Sequence, residues 1–200
     1  MKEDETNILK KCPICSFIFV LLIIIFSMYF TSVLKTVPCE KDMVSVLYSN
    51  FIHTDFYHLM SNLFGLYSLT YVELRLGSKK FLTLILFLIF FTTLLEILLN
   101  KIIKTPCSIG FSGILYGVFT FEIISKDKYV DYKILGSIIL NIIFSKITNN
   151  KSSLYGHVIG VISGVFGALI YKKIQKFKDL WILKIYYILK IYYILKVYNV

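Results

Sequence analysis

Long stretches without a charged side chain restrict the fold of this chain more than any other feature. Residues 12–34, 81–95 and 154–171 contain no Asp, Glu, Lys or Arg. About 20 apolar residues cross a bilayer as a helix, and a segment in lipid must satisfy its backbone hydrogen bonds internally. With 57% hydrophobic residues and a mean hydropathy of +0.74, the chain is predicted to be an all-α, polytopic membrane protein.

Six membrane-spanning helices are predicted. They cover Ile14–Leu34, Tyr57–Leu74, Phe81–Asn100, Phe111–Ile124, Ile134–Ile147 and Leu154–Tyr171. The fourth and fifth are short, which indicates spans that begin below the membrane surface or are shielded by their neighbours. The chain therefore divides into a polar N-terminal segment at 1–13, one six-span domain at 14–171 and a basic tail at 172–200, with no separate soluble domain.

The distribution of basic residues predicts the orientation in the membrane. Of the 22 lysines and arginines, 16 fall on the side of both termini and 6 on the other side. Because cytoplasmic loops carry the excess of Lys and Arg, both termini are predicted to be cytoplasmic. The formal charge of +10 is then a topology signal, and no nucleic-acid partner is predicted. No cleavable signal peptide is predicted, and the first span is expected to direct insertion into the membrane.

The basic tail repeats the motif ILKIYY with a period of six residues. On a helix this period points Lys184, Lys190 and Lys196 in three different directions, whereas an extended strand would align them. The tail is predicted to be low-complexity sequence, at most bound to the membrane surface.

Four cysteines give weak signals. Cys12 and Cys15 form a lone CxxC before the first span, which favours ordinary membrane-edge cysteines open to acylation over a metal or redox site. Cys39 and Cys107 are predicted to face the same compartment, where a disulfide is compatible with the sequence but not required by it.

Polar residues from three separate loops are predicted to meet at one membrane depth. Ser112, His157 and the pair His58 and Asn62 all stand where the chain enters a span from the non-cytoplasmic side. Each one alone has a simpler interpretation, as a small packing residue, an interfacial histidine or a hydrogen bond between helices. Their convergence is less easily explained in that way, because polar groups within spans are costly and by default mark function.

The residue types fit nucleophilic catalysis. Ser112 is inert until a base takes its proton, and His157 is a suitable base. The side chains of His58 and Asn62, one helical turn apart, and the backbone N–H of Ser112 are predicted to stabilise an oxyanion.

Glycines at helical spacing would bring the serine and the histidine together. They are Gly113 and Gly117 on the fourth span, and Gly156, Gly160 and Gly164 at the sixth. Small residues four apart let two helices approach closely, so Ser112 and His157 are expected to reach hydrogen-bond distance.

These motifs resemble the rhomboid family of intramembrane serine proteases. The matching segments are GFSG around Ser112, GHVIGVISG from Gly156, HTDFYHLMSN from His53, and ELRLGSKKF from Glu73. The resemblance implies that Ser112 is the nucleophile and that Tyr116 packs on the catalytic His157. It also implies supporting roles for His53, Gly110, Gly113, Gly156 and Gly160. The Trp-Arg pair that is usual in the first external loop of the family is replaced here by Val44 and Ser45.

The resemblance implies hydrolysis of peptide bonds within the lipid bilayer, without a metal or another cofactor. The substrates would be single-pass transmembrane proteins that enter between the second and fifth spans. A location in the secretory pathway or plasma membrane is expected, and a mitochondrial one is disfavoured because no Arg- and Ser-rich presequence precedes the first span. Two other functions stay open: a non-proteolytic rhomboid-like protein that binds membrane clients, and a small transporter or channel.

Overall fold

The computed structural model describes residues 11–34, 42–104, 108–126 and 151–197 of the chain. All regular structure in these ranges is helical. The helices are α1 (Pro13–Phe30), α2 (Met43–Ser49), α3 (Phe56–Ser68), α4 (Thr70–Leu76), α5 (Ser78–Ile102), α6 (Ser112–Ser125) and α7 (Lys151–Val197). The predicted all-α class is confirmed for these residues. The predicted fifth span, Ile134–Ile147, lies outside the described residues, as do Cys39 and Cys107.

Three of the described helices are long and apolar enough to cross a membrane. They are α1, α5 and the part of α7 from Leu154 to Tyr187, while α6 is apolar but shorter.

The second predicted span is divided at Leu69 into α3 and α4. Hydroxyls on both sides of the break donate to backbone carbonyls, Ser68 to Phe64 at 3.0 Å and Thr70 to Tyr67 at 2.8 Å. Hydrogen bonds of this kind disturb a helix locally. The number of membrane spans, six, stays a prediction.

Helix α6 lies at the centre of the structure. Every residue from Gly113 to Glu122 is buried, which fits a helix that is apolar all round. Its main neighbour is α7, and the two backbones touch. A Cβ atom built on Gly113 would lie 3.0 Å from the carbonyl oxygen of Gly156, and one on Gly117 would lie 3.2 Å from that of Gly160. The glycine spacing thus produces the close approach that the sequence predicted.

The first helix is held by a buried carboxylate. Glu73 of α4 accepts hydrogen bonds from the backbone N–H groups of Ile14 at 3.0 Å and Cys15 at 2.8 Å. These N–H groups belong to the first turn of α1 and have no partner within the helix. Glu73 is fully buried, so it caps α1 from a neighbouring helix and fixes α1 against α4.

The CxxC cysteines lie at this same contact. Cys12 and Cys15 are both free and both buried, and the Cys12 thiol points at the carbonyl oxygen of Thr70, 3.4 Å away. Burial, and secondarily the negative charge of Glu73, raise the pKa of the Cys12 thiol. A buried thiol that stays protonated is a poor nucleophile. The structure therefore speaks against the interpretation of this pair as cysteines open to acylation.

A second buried carboxylate joins α4 to the far end of α6. Glu122 is fully buried and pairs with the guanidinium of Arg75, whose Nε donates to Oε1 at 3.1 Å. The ammonium of Lys126 lies 2.7 Å from the same oxygen. This cluster closes the end of α6 opposite Ser112.

The final helix continues through the predicted boundary at residue 171 without a break. It extends to Val197 and so includes most of the ILKIYY repeats. The tail is helical, and an extended strand is not its conformation. A helix that has already formed can be prolonged at little cost, because propagation fixes one residue for each hydrogen bond gained.

Candidate active site

Ser112 and His157 face one another across the contact between α6 and α7. Ser112 is the first residue of α6, and its Oγ lies 3.0 Å from Nε2 of His157 on α7. His157 is buried. This separation is within the hydrogen-bond range, so a proton can pass between the hydroxyl and the imidazole. The structure thus brings together the two residues that the sequence singled out.

Tyr116 forms a platform for the imidazole. Its ring stacks on that of His157 with centroids 4.2 Å apart and planes 27° from parallel. Tyr116 follows Ser112 by one turn of α6, so one helix face supplies both the hydroxyl and the ring that holds its partner. Within the described part of the chain, no carboxylate makes a hydrogen bond to His157.

A compact cluster of His53, His58 and Gly110 lies beside the serine. The two imidazole rings meet edge to face with centroids 4.9 Å apart, and Nδ1 of the fully buried His53 lies 3.2 Å from the carbonyl oxygen of Phe51. Gly110 has φ +96° and a Cβ there would fall 2.5 Å from the His58 ring. Glycine is required at this position for both reasons, because other residues rarely adopt a positive φ and no side chain fits.

Asn62 is buried one turn after His58 on α3. Its Nδ2 donates to the carbonyl oxygen of His58 at 2.8 Å, while Oδ1 has no partner among the described residues. The second N–H of the same amide stays available. No described hydrogen bond joins His58 or Asn62 to Ser112, so their part in stabilising an oxyanion stays a prediction.

Gly156, which precedes the histidine, leaves space that Gly160 does not. A Cβ on Gly156 would meet only Ser108, at an ordinary contact distance of 3.6 Å. A Cβ on Gly160 would overlap the backbone carbonyl of Gly113. Gly113 and Gly160 therefore set the spacing of the two helices next to the Ser112–His157 pair, as the sequence predicted.

A small polar cavity behind Ser112 was not predicted. It measures about 20 Å³, enough for about one water molecule. Besides Ser112, the polar side chains that line it are those of Asn50, Thr92, Glu96 and Ser108. The Ser108 hydroxyl is buried and has no partner among the described residues. One signal was present in the sequence, because Glu96 is the only charged residue between Lys80 and Lys101.

Across the described ranges, no group of three His, Cys, Asp or Glu side chains is placed to hold a metal ion. The histidines are instead divided between two structures, the Ser112–His157 pair and the His53–His58 cluster.

Comparison with known proteins identifies the family of this chain. The family model described as "Rhomboid domain" matches residues 40–174. The chain is 26% identical over 155 residues to "Putative rhomboid protein L523" of Acanthamoeba polyphaga mimivirus, an alignment that covers 76% of this chain and 88% of the viral protein. No solved structure matches the chain at a significant level. Because the family model covers more than half of the chain, from before α2 into α7, the chain belongs to the rhomboid family of integral membrane proteins.

Proposed function

We propose that this protein is an intramembrane serine protease, which hydrolyses peptide bonds in or near the transmembrane helices of membrane-protein substrates. One observation carries the proposal: a serine hydroxyl lies 3.0 Å from an imidazole nitrogen, and an aromatic ring holds that imidazole in place. A nucleophile, a base and a group that orients the base are the parts that acyl transfer requires.

The reaction proceeds in two stages. Oγ of Ser112 attacks the scissile carbonyl carbon while Nε2 of His157 takes the hydroxyl proton. The tetrahedral intermediate collapses with cleavage of the C–N bond, and His157 gives the proton to the leaving amine. Water then attacks the ester on Ser112 and loses a proton to His157. Cleavage of the ester bond returns that proton to Ser112 and releases the new carboxyl end.

Tyr116 takes the place of a third acidic residue in this proposal. Stacking restricts rotation of the imidazole about its own side-chain bonds, so that Nε2 stays directed at Ser112. A catalytic group that is held in place avoids a large entropic penalty during reaction.

The negative charge on the attacked oxygen would be met by donors at the start of α6. The backbone N–H of Ser112 is free of helix partners because Ser112 is the first residue of the helix. His58 and the second amide N–H of Asn62 are the proposed side-chain donors. Loss of one such donor typically lowers the rate by about 10²–10³.

The polar cavity behind Ser112 would supply the water of the second stage. Its buried Ser108 hydroxyl lacks a partner among the described residues, and Glu96 and Asn50 add acceptors and donors on the other walls. A site that offers several polar partners in a volume of about one water molecule can retain that molecule within the membrane.

We further propose that the active site opens to the non-cytoplasmic side and that both termini are cytoplasmic. A single-pass transmembrane substrate would enter from the lipid between the second span, α3 and α4, and the predicted fifth span. Its end must unwind near Ser112, because the hydrogen bonds of a helix shield the scissile carbonyl. The expected location is the secretory pathway or the plasma membrane.

The proposal is tested with the purified full chain in liposomes that also contain a test transmembrane substrate. Ser112→Ala and His157→Ala should each abolish cleavage and labelling by a fluorophosphonate probe. Ser163→Ala is the matched control, since Ser163 is a buried serine of α7 whose hydroxyl donates to the backbone oxygen of Ile159 at 2.8 Å. Full turnover in Ser112→Ala would refute the proposal of a serine protease. A wild-type protein that retains substrates without cleaving or labelling would instead support the client-binding alternative.

A further inference from the structure

A groove between α5 and α7 lies at the opposite end of the molecule from Ser112. Its volume is about 340 Å³, within the range of sites for small ligands. Most of its walls are apolar, with Leu84 and Phe87 on α5 and Ile170 and Ile174 on α7. Lys80 and Lys178 line the same groove.

The groove is bounded by aromatic rings at one end and by two lysines at the other. The two helices run in opposite directions, so Phe87 on α5 meets Gly167 on α7, where a Cβ would lie 3.2 Å from the Phe87 ring. Beyond this point the ring of Phe87 stacks on that of Phe91 with centroids 5.3 Å apart, and the ring of Phe91 packs against that of Phe166 with centroids 5.4 Å apart. Lys80 and Lys178 stand at the other end, seven and eleven residues away along their helices. The two ammonium groups therefore stand at the end of the groove opposite this aromatic contact.

The two ammonium groups have no acidic partner in the described parts of the chain. Neither lysine takes part in the ion pairs that Arg75 and Lys126 form with Glu122. Asp179 follows Lys178 in sequence but does not line the groove. Two positive charges thus stand at one end of an apolar groove without a counter-charge from these residues.

The dimensions fit one lipid molecule. Eleven residues of helix from Gly167 to Lys178 rise about 16 Å, about half of the hydrocarbon core of a bilayer. An acyl chain that fills the groove would therefore place its headgroup beside Lys80 and Lys178. This is also the lysine-rich side, predicted to be cytoplasmic, where anionic lipids are found and basic pockets between helices bind their headgroups.

We propose that this groove, independently of the protease function, is a binding site for an anionic phospholipid. One acyl chain lies between α5 and α7, and the phosphate contacts Lys80 and Lys178. A lipid held in this way joins α5 to the helix that carries His157.

Binding is tested on the delipidated full chain in a neutral detergent. Phosphatidylglycerol and phosphatidylcholine with identical acyl chains are titrated, and bound lipid is counted by native mass spectrometry. Wild type should prefer phosphatidylglycerol. The double variant Lys80→Gln/Lys178→Gln should weaken its binding by about fivefold per lysine, or about 30-fold in total. The control Lys79→Gln/Lys173→Gln removes the same charge from exposed lysines outside the groove.

A second pair of variants tests the apolar part. Thr83 lines the groove and Leu82 does not, although both side chains are exposed on α5. Thr83→Trp should fill the groove and abolish lipid binding with both lysines intact, whereas Leu82→Trp should bind as wild type does. Circular dichroism checks that each variant is folded.

Several results would overturn the site. Equal binding of the two lipids would show that the headgroup charge is not recognised. Equal loss in the two lysine double variants would show that only diffuse surface charge acts. Unchanged binding in Thr83→Trp, or displacement of the lipid by millimolar inorganic phosphate alone, would show that the groove does not hold a chain.

Discussion

Gly160 lies against the backbone carbonyl of Gly113 so closely that a side chain at position 160 would overlap the carbonyl oxygen. The contact is one turn from His157 on one helix and one residue from Ser112 on the other. The distance between the side chains of Ser112 and His157 is therefore set by the absence of a methyl group at position 160.

The first prediction compares Gly160→Ala with Gly156→Ala. At Gly160 a methyl group must push α7 away from α6, and a displacement of ~1 Å in a catalytic group can cost on the order of 10² in rate. At Gly156 the methyl group meets only Ser108, at 3.6 Å. Cleavage and fluorophosphonate labelling should both fall in Gly160→Ala, and more so in Gly160→Val, while Gly156→Ala stays near wild type. Equal activity of the two alanine variants would contradict the role of this contact.

The second prediction concerns the ring that stacks on His157. Tyr116→Leu should lower turnover by about 10–10² because the imidazole is free to leave its productive orientation. Tyr116→Phe keeps the ring and should retain much more of the activity. The rate of probe labelling should follow turnover in both variants, since attack on the probe uses the same serine and base. If the two variants were equally impaired, the hydroxyl and not the stacked ring would be the important part.

The third prediction separates the proposed oxyanion donors from the nucleophile. His58→Ala and Asn62→Ala should each lower the rate by about 10²–10³ without abolishing it. Single-turnover cleavage in liposomes measures this residual activity, with Ser112→Ala as the baseline. Wild-type rates in both variants would support the simpler interpretation, in which these residues only join helices.

The fourth prediction concerns stability at the far end of α6. Glu122→Ala would leave Arg75 and Lys126 without their buried partner. Removing one partner of a completely buried pair lowers the free energy of unfolding by about 3–5 kcal/mol. Because both cations are about one-third exposed, a decrease of about 1–3 kcal/mol is expected here. Thermal unfolding in detergent should show a lower Tm, and Lys126→Gln a smaller decrease. Because the cluster is ten residues from Ser112, folded Glu122→Ala should still cleave substrate.

Features carried by one helix could be predicted from the sequence, and most features formed between helices could not. The glycine spacing on α6 and α7 predicted their contact because residues four apart share a helix face whatever the helix meets. The pairing of Arg75 with Glu122 and the convergence of Ser108 and Glu96 depend on the depth and rotation of separate helices, which no local pattern specifies. The break at Leu69 was missed for another reason: the hydroxyls of Ser68 and Thr70 alter the helix without interrupting its hydrophobicity.

The length of α6 has a consequence for which bonds the proposed protease could reach. Its 14 residues rise about 21 Å, about 9 Å less than the hydrocarbon core of a bilayer. With Arg75 and Lys126 holding one end at a membrane surface, we expect Ser112 to stand about 9 Å beneath the opposite surface. If the proposed protease function holds, the length of α6 would fix the depth of cleavage. A substrate would then be cut where its own helix unwinds at that level, and the position of its weakest turn relative to the membrane surface would matter more than the residues around the scissile bond.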